Sequence, residues 1–125
     1  MAPAPGDRPA SWDDLLDRHT PEVQATARAL ESLIREELPE VVVDFDAGNR
    51  LLGFGRSMQM RDLLFAVIPH GGWVNLQLAD GALLPNEGGL IEGTGKRIRH
   101  IKVRSVEASR DPRVVAAVRA QIAGR

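Results

Sequence analysis

Residues 41–78 read VVVDFDAGNRLLGFGRSMQMRDLLFAVIPHGGWVNLQL, and this stretch decides the fold. Apolar and polar residues alternate near its two ends, as they do in strands that bury one face. Residues 63–68 are apolar throughout, which is typical of a central strand covered on both sides. Turns of a few residues at 47–49 and 69–72 separate the strands, so neighbouring strands run antiparallel. The stretch therefore predicts a β-meander.

Helical patterns precede and follow the meander. A short helix is predicted over about residues 12–18. The main helix begins at Thr20, which supplies a hydroxyl cap before a first-position proline, and an apolar stripe at helical spacing follows. Asp111 caps a final helix, and a fifth strand is predicted over about residues 98–103.

Together these elements predict an α+β fold, an antiparallel β-meander sheet of about five strands with N- and C-terminal helices packed on one face. The other face of the sheet is then open and fairly polar. Alternation directs one set of side chains toward the helices, namely Val43, Phe45, Val74 and Leu76. It directs a second set away from them, namely Asp44, Asp46, Asn75 and Gln77.

Length and composition describe one domain of 125 residues. Residues 1–10 contain three prolines and no periodicity, so we expect a disordered tail before a single domain over residues 11–123. The net charge of −1 provides no general attraction to nucleic acid or to an acidic membrane. The chain has no cysteine and no apolar run long enough to cross a bilayer, and we expect a cytoplasmic protein.

Residues 80–104, DGALLPNEGGLIEGTGKRIRHIKVR, form the candidate working surface. Glycine-rich turns expose backbone amides, and these together with cationic side chains bind phosphate or carboxylate groups. The predicted ligand-binding residues are Gly93, Thr94, Gly95, Lys96, Arg97, Arg99 and His100. The same pattern fits a surface loop whose glycines only satisfy turn geometry. A third interpretation pairs an inward-facing Arg99 with an acidic residue such as Glu92 as a structural clamp.

Three short segments resemble the YdhG-like family. They are LIREELPE at residues 33–40, GLIEGTGK at 89–96 and RHIK at 99–102. The resemblance covers roughly residues 13–122, and it implies a small α+β fold similar to frataxin. For some members of that family it also implies an intracellular iron-chaperone role, while most members have no assigned function.

The sequence leaves three hypotheses open for function. The first is a non-enzymatic module that binds a small anion or a protein partner through residues 93–100. The second, which follows the frataxin-like resemblance, is an iron chaperone whose carboxylates suit a hard cation. Its candidate metal ligands are Glu36, Glu37, Glu40, Asp44 and Asp46. The third is an interaction module that dimerises through the open sheet face, so both a monomer and a homodimer are expected possibilities.

Several function classes are disfavoured by the residues present. A phosphate-binding loop for nucleotide hydrolysis requires glycine at position 90 and a hydroxyl residue at 97, but these positions hold Leu90 and Arg97. Nucleic-acid binding is not expected, because no aromatic residue interleaves with the cations. No nucleophile with a positioned base is recognisable, so no catalytic residue is predicted and we expect a protein that is not an enzyme and needs no resident cofactor.

Overall fold

The computed structural model describes residues 7–125, and their helices and strands follow the predicted order. The helices are α1 (Trp12–Asp17), α2 (Pro21–Glu37), α3 (Val106–Ser109) and α4 (Pro112–Ala123). The strands are β1 (Val42–Asp46), β2 (Leu51–Gly55), β3 (Leu63–Pro69), β4 (Val74–Leu78) and β5 (Arg99–Val103). Three short 3₁₀ turns lie in the connections, at Met60–Asp62, Gly81–Leu83 and Glu87–Gly89.

The five strands form one antiparallel sheet in the order β1-β2-β3-β4-β5. Helix α2 crosses the middle of the sheet and contacts β3 and β4, while α1, α3 and α4 pack around it. The predicted α+β meander with N- and C-terminal helices is therefore confirmed. The strand β3 is central, as predicted, but helices cover only one of its faces.

Helix starts follow the capping residues that the sequence provides. The side chains of Ser11 and Thr20 accept hydrogen bonds from the backbone of α1 and α2, and Asp111 does the same for α4. Ser105 caps α3 in the same way, although this helix was not predicted. Its four residues are too few to show a helical period, so only the cap at Ser105 signals it.

The side chains on the helix-covered face form the core. Phe54 and Phe65 lie opposite each other on β2 and β3 and are fully buried. The predicted inward residues Val74 and Leu76 are also fully buried, and Val43 and Phe45 pack against the same core from the edge strand. The predicted assignment of faces therefore agrees with the structure.

A β-bulge explains why two consecutive residues of β3 are buried in the core. The register between β2 and β3 shifts so that Phe54 pairs with Phe65 while Gly55 pairs with Leu63. Leu64 is the extra residue, and it is buried in the core together with Phe65. Leu63 lies instead on the open face, close to Gly53.

The predicted N-terminal tail lies partly outside the described residues, because residues 1–6 are not among them. Residues 7–10 were predicted to be disordered, but they contact the domain. Pro9 is buried, and the backbone carbonyl of Asp7 accepts hydrogen bonds from Arg18 and Arg50. Among residues 7–125, no helix has the length and apolar character needed to cross a bilayer.

The burial of Phe54 makes its truncation a test of the fold. We expect Phe54→Ala to lower the free energy of unfolding by roughly 3–5 kcal/mol, because it opens a cavity under the helices. Asp44→Ala on the exposed side of β1 is the control, with an expected change within about 0.5 kcal/mol. Urea unfolding measures both values, and equal losses would contradict the assignment of the faces.

Candidate functional site

The centre of the candidate site is Asp80, a buried carboxylate that follows the end of β4. Arg125 donates to both of its oxygens, with Nε at 2.8 Å from Oδ2 and Nη2 at 3.0 Å from Oδ1. Arg97 donates from Nη2 to Oδ1 at 2.5 Å. Gln121, which is fully buried in α4, donates from Nε2 to Oδ2 at 2.9 Å. The carboxylate is therefore hydrogen-bonded by two guanidinium groups and one amide.

Gln121 also accepts a hydrogen bond from the Asp80 backbone N–H at 2.7 Å, so the two residues bind each other reciprocally. Burial alone raises the pKa of Asp80. Hydrogen bonds from Arg125, Gln121 and Arg97 outweigh that effect and lower the pKa of Asp80 from 3.8 to about 2. Asp80 is consequently ionised at neutral pH, and its negative charge holds both arginines in place.

The chain around Asp80 is packed backbone against backbone. A Cβ atom on Gly81 would lie 2.7 Å from Cβ of Arg99, so only glycine permits this close approach. The backbone N–H of Ala82 donates to the carbonyl of Arg97 at 2.9 Å. The segment leading into β5 therefore lies directly over the turn that follows β4.

The glycine loop, residues 92–100, is closed by its own backbone. Glu92 and His100 exchange two hydrogen bonds of 2.7 and 3.0 Å across its base. Gly93 has φ of 120°, a conformation that favours glycine, and a Cβ atom on Gly95 would overlap the carbonyl oxygen of Ile98. These two glycines are thus required by the turn, as the structural interpretation of the sequence expected.

The predicted ligand-binding residues divide into engaged and available groups. Arg99 donates from Nε to the Gly95 carbonyl at 3.0 Å, and it therefore stabilises the turn. The suggested clamp between Arg99 and Glu92 does not form, since Arg97 and Asp80 make the clamp instead. Thr94 and Lys96 are exposed, and His100 is half-buried on the open face of the sheet. Thr94 and Lys96 are thus available at the exposed turn, whereas the guanidinium group of Arg99 is used within the loop.

A depression of about 210 Å³ lies between this loop and the β2–β3 connection. Arg61, Arg97 and Arg125 border it, and Gln77 adds a polar side chain from β4. Leu63 and the exposed Ile98 supply apolar lining. The depression therefore combines several cationic donors with a small apolar surface, as a site for a small carboxylate or phosphate ester would.

Two of the five candidate metal ligands form ion pairs with arginines of the C-terminal helices and their connection. Arg110 holds Glu36 through two hydrogen bonds of 2.9 and 3.1 Å, and Arg119 holds Glu37 at 2.5 Å. The hydrogen bond from Arg110 lowers the pKa of Glu36.

The remaining three candidate ligands belong to β1 and the turn before it. Asp46 binds the side chain and backbone of Asn49, while Glu40 and Asp44 are exposed. Across residues 7–125, no group of three or more His, Asp or Glu side chains is arranged to hold a metal ion. The iron-chaperone hypothesis stays a prediction.

Two histidines meet at the β3–β4 turn. Nδ1 of His19 lies 3.1 Å from the carbonyl oxygen of His70, so His19 contacts this turn. The His70 ring stacks on Trp73 at 5.0 Å, and its buried Nε2 has no hydrogen-bond partner among the described residues. Burial lowers the pKa of His70, and the nearby His100 lowers it further.

No family model, no curated protein and no solved structure matches this chain. The fold and the site therefore rest on the molecule's own contacts, and the resemblance to the YdhG-like family stays a prediction.

Sequence reasoning missed Asp80, Gln121, Arg125 and Arg61. Gln121 did carry a signal, because it lies at helical spacing from the buried residues Val114, Ala117 and Val118 of α4. A polar residue in such a stripe indicates a buried hydrogen-bond partner elsewhere in the chain. Nothing local indicated that the partner is Asp80, 41 residues away.

The lowered pKa of Asp80 predicts how acid affects stability. Because the folded pKa of about 2 lies below the ordinary 3.8, the ionised carboxylate contributes stability above about pH 4. This contribution, about 2 kcal/mol, is lost as the pH falls toward 2. We expect Asp80→Asn to lower the free energy of unfolding by about that amount at pH 7 and by much less near pH 2.

The measurement is urea unfolding of both proteins across this pH range, because their difference isolates Asp80 from the other carboxyl groups. Asp13→Asn, at an exposed position of α1, serves as the control and should show a much smaller difference at pH 7. A pH-independent difference between Asp80→Asn and the unmodified protein would show that the ionised state of Asp80 is not what stabilises the site.

Turn geometry gives a further prediction. We expect Gly95→Ala to destabilise the protein by about 1–3 kcal/mol, because the added methyl overlaps the Ile98 carbonyl oxygen. Gly71→Ala is the matched control, since a Cβ at that position meets no atom within 4 Å. Thermal unfolding followed by circular dichroism compares the two, and equal melting temperatures would mean that the loop rearranges at no cost.

Proposed function

We propose that the protein is a non-enzymatic binding module for a small anion, a phosphate or a carboxylate, held in the arginine-lined depression beside the glycine loop. The observation that supports this proposal is that Arg61, Arg97 and Arg125 border one depression, while Asp80, which pairs with Arg97 and Arg125, does not line it. Three guanidinium groups and one paired carboxylate leave an excess of positive charge. An anion entering the depression neutralises that excess.

The donors of Arg97 are only partly used by the protein. A guanidinium carries five N–H donors, and Arg97 has one hydrogen bond, from Nη2 to Asp80. Its side chain is 62% exposed, so the remaining donors face solvent and the depression. Asp80 fixes the orientation of this group before any ligand binds, which reduces the conformational entropy lost on binding.

The glycine loop adds further donors at the rim of the depression. The backbone N–H groups of Thr94, Gly95 and Lys96 have no acceptor within the described part of the chain. The ammonium group of Lys96 extends from the same exposed turn. Backbone amides and a neighbouring ammonium group are good donors to the oxygens of a phosphate or carboxylate. These donors belong to residues that the sequence indicated as ligand-binding.

Arg61 provides the cleanest test of this proposal, because its side chain takes no part in holding Asp80. We expect calorimetric titration with inorganic phosphate, and separately with citrate, to show binding that Arg61→Ala weakens about 10-fold. Arg97→Ala should weaken it at least as much. Added sodium chloride should weaken binding in the unmodified protein, because salt screens the exposed charges.

Arg113→Ala is the matched control. Arg113 is half-exposed and pairs with Asp111 at the start of α4, so it has the same charge but lies outside the depression. Its replacement should leave the affinity for phosphate and citrate unchanged. Absence of binding to both ligands, or equal affinity in Arg61→Ala and the unmodified protein, would refute the proposed site.

A further inference from the structure

The open face of the sheet carries acidic side chains at one edge and basic side chains at the other. One row of paired residues crosses all five strands, and it consists of Asp44, Gly53, Ala66, Gln77 and His100. The row begins with a carboxylate on the edge strand β1 and ends with an imidazole on the opposite edge strand β5. Between them the side chains are small or uncharged.

A second row repeats this arrangement. Asp46 pairs with Leu51 at the β1 edge, and Ile68 pairs with Asn75, which in turn pairs with Lys102 at the β5 edge. The register of β2 and β3 places Leu51 beside Ile68, which completes the row. In both rows, therefore, an acidic residue of β1 and a basic residue of β5 lie at the same height along the strands.

We propose that a second copy of this chain covers the open face, related to the first by a two-fold axis that runs parallel to the strands above β3. Rotation about this axis keeps each residue's height along the strands and exchanges β1 with β5. Asp44 of one copy then faces His100 of the other, and Asp46 faces Lys102. Each contact occurs twice, as an isologous interface requires.

The middle of the face permits this approach. Gly53, Gly55 and Ala66 place small residues in the middle of β2 and β3, so a second sheet packs there at about 10 Å with its strands nearly aligned. Leu51 and Leu63 provide apolar contact. A face with acids at one edge, bases at the other and uncharged residues between them is complementary to itself, which identifies the occupant as a second copy.

Two exposed methionines extend the contact at one end. Met58 is 72% exposed and Met60 is 83% exposed, and both border a second depression, of about 170 Å³, which lies on the open face beside Asp44 and Gly53. They belong to the β2–β3 connection, close to the proposed axis, so the methionines of the two copies meet each other. Flexible thioether side chains adapt to such a contact without a preformed pocket.

The size of the face determines how stable the dimer is. Five strands about 4.8 Å apart and about 17 Å long give a flat area of roughly 400 Å² per copy, which is below the roughly 800 Å² of a standard interface. The dimer is therefore weak and depends on concentration. In such an interface the charged pairs set the orientation and the rate of association.

Sedimentation equilibrium in phosphate-free buffer of low ionic strength tests the proposal. At about 100 µM, where an interface of this class assembles, we expect a substantial fraction at twice the 13.6 kDa chain mass. Raising the salt concentration should dissociate it. A chain that stays monomeric under these conditions would overturn the proposal.

Charge reversal identifies the interface. One variant carries Asp44→Lys and Asp46→Lys, and the other carries His100→Glu and Lys102→Glu. Each alone places like charges opposite each other across the axis, and we expect its self-association to weaken on the order of 100-fold. Mixed in equal amounts, the two variants should form a heterodimer, because every pair is then of opposite charge.

Circular dichroism first establishes that each variant is folded. A loss of self-association can then be attributed to the changed charges and not to unfolding. Glu107→Lys, a reversal on the exposed surface of α3, is the control and should dimerise as the unmodified protein does. Undiminished association of either variant, or a mixture of folded variants that stays monomeric, would show that the open face is not the interface.

Discussion

The buried carboxylate of Asp80 is the interaction on which the rest of the structure depends. It joins three parts of the chain that are distant in sequence, namely the end of β4, the approach to β5 at Arg97 and the end of α4 at Gln121 and Arg125. A buried charge is stable only when all its oxygens are hydrogen-bonded. Asp80 therefore fixes the position of α4 on the sheet and of the loop beside it.

The same carboxylate decides which cationic groups remain available. Arg99 is turned inward to the Gly95 carbonyl, and Arg125 is largely used in holding Asp80. Arg97 is held in one orientation with most of its donors free, and Arg61 lies across the depression from it. A structural ion pair thus orders the arginines of the anion site that we propose, so the proposed ligand would meet ordered donors.

The open sheet face follows from a second constraint, the need for small residues in β2. A Cβ atom on Gly55 would lie 2.5 Å from the carbonyl oxygen of Asp62, so the chain accepts only glycine there. Gly53 similarly has Leu63 as a close neighbour. The absence of side chains at Gly53 and Gly55 leaves a shallow surface between the acidic and basic edges. Backbone packing around the bulge therefore creates the surface that we assign to the second copy.

The sequence by itself determined the order of the longer helices and of the five strands, because helix caps, alternation and turn residues are local signals. It also indicated the glycine loop and its cations. It did not indicate the four-residue helix α3 or the bulge between β2 and β3. The identity of the engaged and free arginines was decided only by the tertiary structure, since Asp80 and Gln121 are 41 residues apart and meet across the helix and sheet layers. The rows of opposite charge are likewise invisible until the register aligns Asp44 with His100. Local patterns specify elements, whereas ion pairing and register depend on contacts between them.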